Sequence, residues 1–219
     1  MRRKHEQSII DAFSNYFLKV GRQRGRQTNR FSLDGQDSVL GGDYIFTANT
    51  NFALVEFKYE KSDLKAEGDK RLRKLLCEKL DADKVRLSQS LQCHFIAWSQ
   101  KEMARNIYFN KYHPEICTRE IFPQAELHQK QSDPSSRIRA EQMVSSFLNA
   151  ELGTNFRTFR QYTQWLLSIG ETGEGGVELM LDNPDSNDLE ILEFSNLDLV
   201  NDWLVQNGPS STPSPSPGP

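Results

Sequence analysis

No stretch of this 219-residue chain approaches the roughly 20 apolar residues that a membrane-spanning helix requires. The opening Met1-Arg2-Arg3-Lys4-His5-Glu6 carries no signal-peptide core. A cytoplasmic location without a membrane partner is therefore expected. Cysteine is scarce: Cys77, Cys93 and Cys117 are three, an odd number at wide spacing. That pattern argues against a disulfide framework and for a reducing compartment. Cys93-His94 and His113-x3-Cys117 lack the paired C-x2-C spacing of a zinc site, so all three cysteines read as structural. Lys and Arg are missing altogether from residue 171 onward, so that end of the chain would repel a polyanion.

Basic residues gather instead at the other end. Residues 1–30 hold Arg2, Arg3, Lys4, Lys19, Arg22, Arg24, Arg26 and Arg30 against only Glu6 and Asp11, a polarity that the net charge of −3 conceals. Arg2, Arg3, Lys4, Arg22, Arg24, Arg26 and Arg30 are the expected phosphate contacts of a nucleic-acid interface. The acidic region after 171 reads as a solvated surface, as a dock for a basic protein partner, or as an internal cover for the basic segment. A composition of 26% charged and 37% hydrophobic residues suits a globular chain of one domain with extensions.

Ile9, Ile10, Phe13, Phe17 and Val20 recur at helical spacing, with Glu6 on the same stripe near the helix start and Gly21 at its end. A mobile basic loop is expected from there to about residue 30. Two strand candidates follow, 43–47 and 52–59, joined by the polar turn Ala48-Asn49-Thr50-Asn51. Thr50 suits a tight two-residue turn poorly, which favours a four-residue loop of the same symmetry. Residues 63–80 predict a charged helix, Cys93–Trp98 a buried strand and Asn106–Phe109 another. Two helical patterns occupy 135–152 and 155–169, a flexible break 170–176, a small hairpin 177–181 with 189–194, and a last helix capped by Ser195. The order implies an α/β fold, a mixed sheet flanked by helices, with a core at 1–130 and a helical, small-β and acidic extension at 131–207. The Pro/Ser tail at 208–219 is expected to be disordered.

Strand alternation puts Phe52, Leu54, Glu56 and Lys58 on one face and Ala53, Val55, Phe57 and Tyr59 on the other. If the turn is symmetric about Asn49-Thr50, Asp43 falls directly opposite Glu56, with Cβ atoms roughly 5 Å apart. Two carboxylates that close require a proton or a cation between them. Hard oxygen ligands select magnesium or manganese. An ion there, with Lys58 beside it, suits phosphodiester hydrolysis.

Gly42-Asp43, twelve residues, then Glu56-Phe57-Lys58, with a preceding helix that carries Glu6 and a helix after, resembles the PD-(D/E)XK, or restriction-endonuclease-like, superfamily. The resemblance covers roughly residues 1–110, and Gly42 stands where the family motif has proline. It implies a helix-strand-strand-strand-helix-strand core. In the site, Asp43 and Glu56 would be metal ligands, the Phe57 carbonyl a third, Lys58 catalytic, and Glu6 an accessory ligand through water. It also implies a magnesium-dependent nuclease acting on DNA, RNA not being excluded, in defence, repair or recombination, with a homodimer expected by analogy. The competing expectation is a nuclease-like module without catalysis that binds nucleic acid or a protein partner.

Overall fold

The computed structural model describes residues 5–33, 40–170, 179–182 and 190–207. Its strands form one sheet between two helical layers. Helix α1 (Glu6–Gln23) is followed by strands β1 (Thr28–Ser32), β2 (Tyr44–Ala48) and β3 (Asn51–Glu60). A 3-10 helix at Lys61–Asp69 leads to α2 (Arg71–Ala82) and α3 (Lys84–Cys93). Then come β4 (His94–Lys101), β5 (Arg105–Lys111) and the short α4 (Tyr112–Ile116). The rest comprises β6 (Ile138–Arg139), α5 (Ala140–Leu148), β7 (Thr154–Asn155), α6 (Phe156–Ile169), β8 (Leu179–Asp182), β9 (Ile191–Phe194) and α7 (Leu197–Gln206).

Strand order is β6-β5-β4-β3-β2-β1-β8-β9, with β7 added to the start of β3. Among the described pairs only β3 and β4 run parallel, the crossover passing through α2 and α3. The α/β class and mixed sheet expected from the sequence are thus present, and the strands of 131–207 belong to the same sheet as those of the core. None of the described helices is long and apolar enough to cross a membrane.

The two faces of β3 sort as alternation demands. Phe52 and Leu54 pack under α2, α4, α6 and α7 with Leu76, Ile116, Phe159 and Val200. Ala53, Val55 and Phe57 pack under α1 and α5 with Phe13, Phe17, Met143 and Phe147. Phe13 lies 4.7 Å from Phe109, 5.3 Å from Phe46 and 5.8 Å from Phe57, ring centre to ring centre. Tilted and edge contacts at these distances add to the burial that docks α1 against the sheet.

Several expectations need correction. Helix α1 runs through Gly21, which is buried; a Cβ there would overlap the side chain of Thr28, so the glycine lets β1 approach the helix. The expected loop up to residue 30 therefore ends in a strand that begins at Thr28. The hairpin turn is two residues, not four: pairing persists to Ala48↔Asn51, and Asn49 takes the positive φ of 52° that Thr50 would resist. The expected helix 63–80 is broken at Lys70 between the 3-10 segment and α2. Asn196, not Ser195, caps α7, its side chain accepting the Leu199 N–H at 3.0 Å.

The cysteine expectation also fails. Cys77 of α2 and Cys117 just after α4 form a disulfide, leaving only Cys93 free and buried. Forty residues separate the pair in sequence, yet α2 and α4 pack together. Wide spacing in sequence is no guide to distance in space, and cysteine usage no longer argues for a reducing compartment. The expected tail 208–219 and most of the 170–176 break lie outside the described residues.

Candidate active site

The register of the β2–β3 hairpin determines which side chains can meet. Tyr44↔Val55 through Ala48↔Asn51 are all symmetric about Asn49-Thr50, and the regular pairing ends there: the Asp43 N–H donates to the Val55 carbonyl at 2.9 Å, one residue short of Glu56. Asp43 is therefore not a ladder partner of Glu56 as the turn symmetry predicts, although the two carboxylates lie near enough for their charges to interact. Asp43 Oδ2 accepts the Phe57 N–H at 2.7 Å. Gly42 has a local reason: a Cβ there would overlap Leu54, so neither proline nor any other side chain fits without displacing the core.

Glu6 arrives from the first turn of α1, where its Oε2 accepts the Tyr59 N–H at 3.0 Å. Lys58 is buried, and its ammonium contacts Glu56 Oε1, donates to the Phe57 carbonyl at 3.0 Å and lies 3.2 Å from Glu67. The expected residues Glu6, Asp43, Glu56, Phe57 and Lys58 are therefore brought together at one end of β3.

Sequence reasoning missed the inner half of the site. Glu67, fully buried on the 3-10 segment, receives Lys70 at 2.7 Å, Arg73 Nε at 3.3 Å and the Tyr112 hydroxyl at 2.9 Å, besides Lys58. Lys70 also reaches Glu56 Oε1 at 3.2 Å. The periodicity of 63–80 is carried by its leucines, and Glu67 has none of the strand context that singles out Glu56. The available signal is charge density: an acid followed at three and six residues by Lys70 and Arg73.

The electrostatics divide the carboxylates into two kinds. Burial, together with the charge of Glu56, pushes Asp43 up to about 7, against the opposing help of the Phe57 N–H and Lys58. Glu6 is raised chiefly by burial. Burial also works against ionised Glu67, but Lys58, Lys70 and Arg73 outweigh it and hold the group down to about 2. Burial opposes the charge of Lys58 as well, and Glu56 and Glu67 overcome it, keeping the ammonium firmly protonated. Glu56 Oε2 is buried without a hydrogen-bond partner.

No family model, no curated protein and no solved structure matches this chain.

Its function must therefore be read from the geometry. One observation leaves room for a divalent ion: Glu56 Oε2 is buried without a hydrogen-bond partner, near an Asp43 that burial and the Glu56 charge make reluctant to ionise. Among the described residues no cluster of three His, Cys, Asp or Glu is close enough to hold a metal as it stands. Any further donors would be the Phe57 carbonyl, the second carboxylate oxygen of Glu6 or water.

The basic residues are distributed differently from expectation. Arg22, Arg24 and Arg26 are exposed at the C-terminal end of α1, about 27 Å of helix from Glu6 at 1.5 Å per residue. Arg24 donates to Ser145 at 3.3 Å. Arg30 is held on the α1 side of the sheet by Asp11 at 3.1 Å and lies over the Tyr44 ring. Arg2, Arg3 and Lys4 lie outside the described residues. The cations at the carboxylates are instead Lys58, Lys70 and Arg73.

Proposed function

We propose that this chain is a divalent-metal-dependent nuclease of the PD-(D/E)XK type that hydrolyses phosphodiester bonds in DNA. The observation that carries the reading is the convergence of Asp43, Glu56 and Lys58 at one end of β3, with one Glu56 oxygen lacking any partner. The run α1, β1, β2, β3, α2–α3, β4, with β3 and β4 parallel, supports the restriction-endonuclease-like core that the motif implies.

Asp43 and Glu56 would hold magnesium or manganese, with the Phe57 carbonyl and Glu6 as further donors. A bound ion supplies polarisation of the phosphoryl oxygen and a water of lowered pKa. The chain's own residues do the positioning. Lys58, held protonated by Glu56 and Glu67, presents a positive charge where charge develops on the phosphoryl group and can orient the attacking water. Asp43, through the Phe57 N–H, keeps the strand edge in register with the acidic pair.

One observation favours a second reading, a non-catalytic module that binds nucleic acid or a protein. Glu56 already contacts two ammonium groups, Lys58 and Lys70, which neutralise it without a metal. One experiment separates the two. Linear, branched and single-stranded DNA are incubated with magnesium or manganese and with wild type, Glu56→Gln and Lys58→Ala. The nuclease reading expects metal-dependent cleavage lost in both variants. Cleavage that survives both, or none in wild type, removes it.

A further inference from the structure

The register across four strands aligns one row of side chains: Lys58 of β3 beside Trp98 of β4, Trp98 opposite Tyr108 of β5, and Tyr108 opposite Arg139 of β6. Partners in such a row share a face of the sheet. The row thus begins at the candidate active site and ends three strand spacings away, about 14 Å at roughly 4.8 Å each. Beyond Lys58 it forms part of a pocket of about 340 Å³ to which Lys61, Trp98, Tyr108, Arg137 and Arg139 contribute.

Each wall of that pocket has a chemical character. Trp98 and Tyr108 are stacked at 6.3 Å with 19° between their planes. The indole N–H of Trp98 is buried and has no partner, in a residue that is only 1% exposed. A buried donor without an acceptor calls for a water or ligand atom. Tyr108 is half-buried, and Glu102 fixes its hydroxyl at 2.6 Å. Arg137 is committed to Glu115 through two contacts of 2.8 Å and covers the indole. Arg139 and Lys61 are the available cations. Arg139 holds Asn106 and sits 3.7 Å from an equally exposed Glu141, a pairing weak enough to exchange for a phosphate. Lys61 is exposed, with no ion pair to a described residue.

An aromatic platform flanked by exposed cations is what a single strand of nucleic acid requires: stacking for its bases and positive charge for its backbone. We propose that this pocket is a binding subsite for an unpaired nucleotide flanking the scissile phosphate, the base resting on Tyr108, which the buried Trp98 backs, and its phosphate between Lys61 and Arg139. A base paired within a duplex has its faces covered and cannot use the platform. This inference rests on the nuclease reading for its placement, and it narrows that reading to DNA with a single-stranded or splayed segment beside the cut.

The test titrates a fluorescein-labelled oligothymidylate of eight residues, in EDTA, against wild type, Tyr108→Ala, Tyr108→Phe and the Lys61→Ala/Arg139→Ala double variant. Cleavage of the same oligonucleotide in magnesium is followed in parallel. Tyr108→Ala should weaken binding about tenfold, whereas Tyr108→Phe should retain it. The double variant should flatten the dependence of log K on log salt by about 1.4 for the two lost contacts. Binding indifferent to Tyr108→Ala, or absent in wild type, overturns the subsite. If cleavage then still requires Glu56, the nuclease reading survives that failure. Binding that depends on Tyr108 without any metal-dependent cleavage leaves the subsite standing and the nuclease reading fallen.

Discussion

Asp43 Oδ2 accepts the backbone N–H of Phe57 at 2.7 Å, so the candidate metal-binding carboxylate also completes the edge of the β2–β3 ladder. Its structural and chemical roles can be separated. Asp43→Ala leaves a buried N–H without an acceptor, at a cost of about 1–3 kcal/mol. Asp43→Asn keeps an acceptor oxygen and removes repulsion with Glu56, the same repulsion that helps to raise the native carboxyl to about 7. In urea unfolding at pH 8 the Asn variant should match or exceed wild type and the Ala variant should fall below it, while both lose cleavage. Equal stability of all three would show that the Phe57 bond contributes nothing.

Glu67 is the hub of the inner network, and its removal should be costly out of proportion to its size. Glu67→Gln strips the compensating charge from Lys58 and Arg73, both buried. Breaking one side of a buried ion pair costs about 3–5 kcal/mol. Tyr112→Phe removes only a hydroxyl donor to the same carboxylate and should cost about 1 kcal/mol. Guanidinium unfolding of both variants checks the ranking; a Glu67→Gln variant as stable as wild type would mean that the network is slack.

The parts legible in the sequence are those governed by short-range periodicity. Strand alternation sorts Phe52, Leu54, Glu56 and Lys58 from Ala53, Val55 and Phe57, and turn symmetry gives the pairing of β2 with β3 from Tyr44↔Val55 to Ala48↔Asn51. What escapes it depends on contacts between distant segments. Strand β1 exists because Gly21 lets Thr28 close on α1, which a local window reads only as a helix stop. The Cys77–Cys117 bond and the meeting of Glu67 with Tyr112 join residues 40 and 45 positions apart. The two-residue turn escapes because Thr50 argues against it, while it is Asn49 that adopts the left-handed conformation.

A buried histidine makes this fold sensitive to acid above the range where ordinary carboxylates protonate. His94 is fully buried, and its neutral ring fits its partners: Nε2–H donates to the Gly41 carbonyl at 2.7 Å, and Nδ1 accepts the Tyr162 hydroxyl at 2.9 Å. Burial, the largest influence, holds its pKa down to about 3. The unfolded chain takes up a proton near 6.5 that the native state refuses, so this group lowers stability from about pH 6.5 towards 3 with a limiting slope of about 1.4 kcal/mol per pH unit, while Asp43, raised to about 7, takes up its proton in the native state first and contributes the opposite slope between about 7 and 3.8. Glu67, lowered to about 2, adds a second loss in the same direction as His94 below about 4.5. Urea midpoints between pH 7 and 4 test this in an Asp43→Asn background, where the opposing carboxyl is gone and His94→Gln should flatten the upper part of the curve. A slope unchanged by that substitution would assign the loss elsewhere.

The disulfide makes a prediction that no other contact imitates, because it acts on the unfolded chain. Cys77 and Cys117 are both fully buried, so a reductant reaches the bond only when α2 and α4 separate. Closing a loop of 40 residues stabilises a fold by about 4 kcal/mol in the chain-entropy account, and about 2–4 is the usual measured range. Wild type should therefore unfold at a lower urea midpoint in dithiothreitol than in its absence. The Cys77→Ala/Cys117→Ala variant should give the same midpoint in both conditions, close to that of reduced wild type. Coincident wild-type curves with and without reductant would mean that the two thiols stay unbonded in solution, and that packing alone holds α2 against α4.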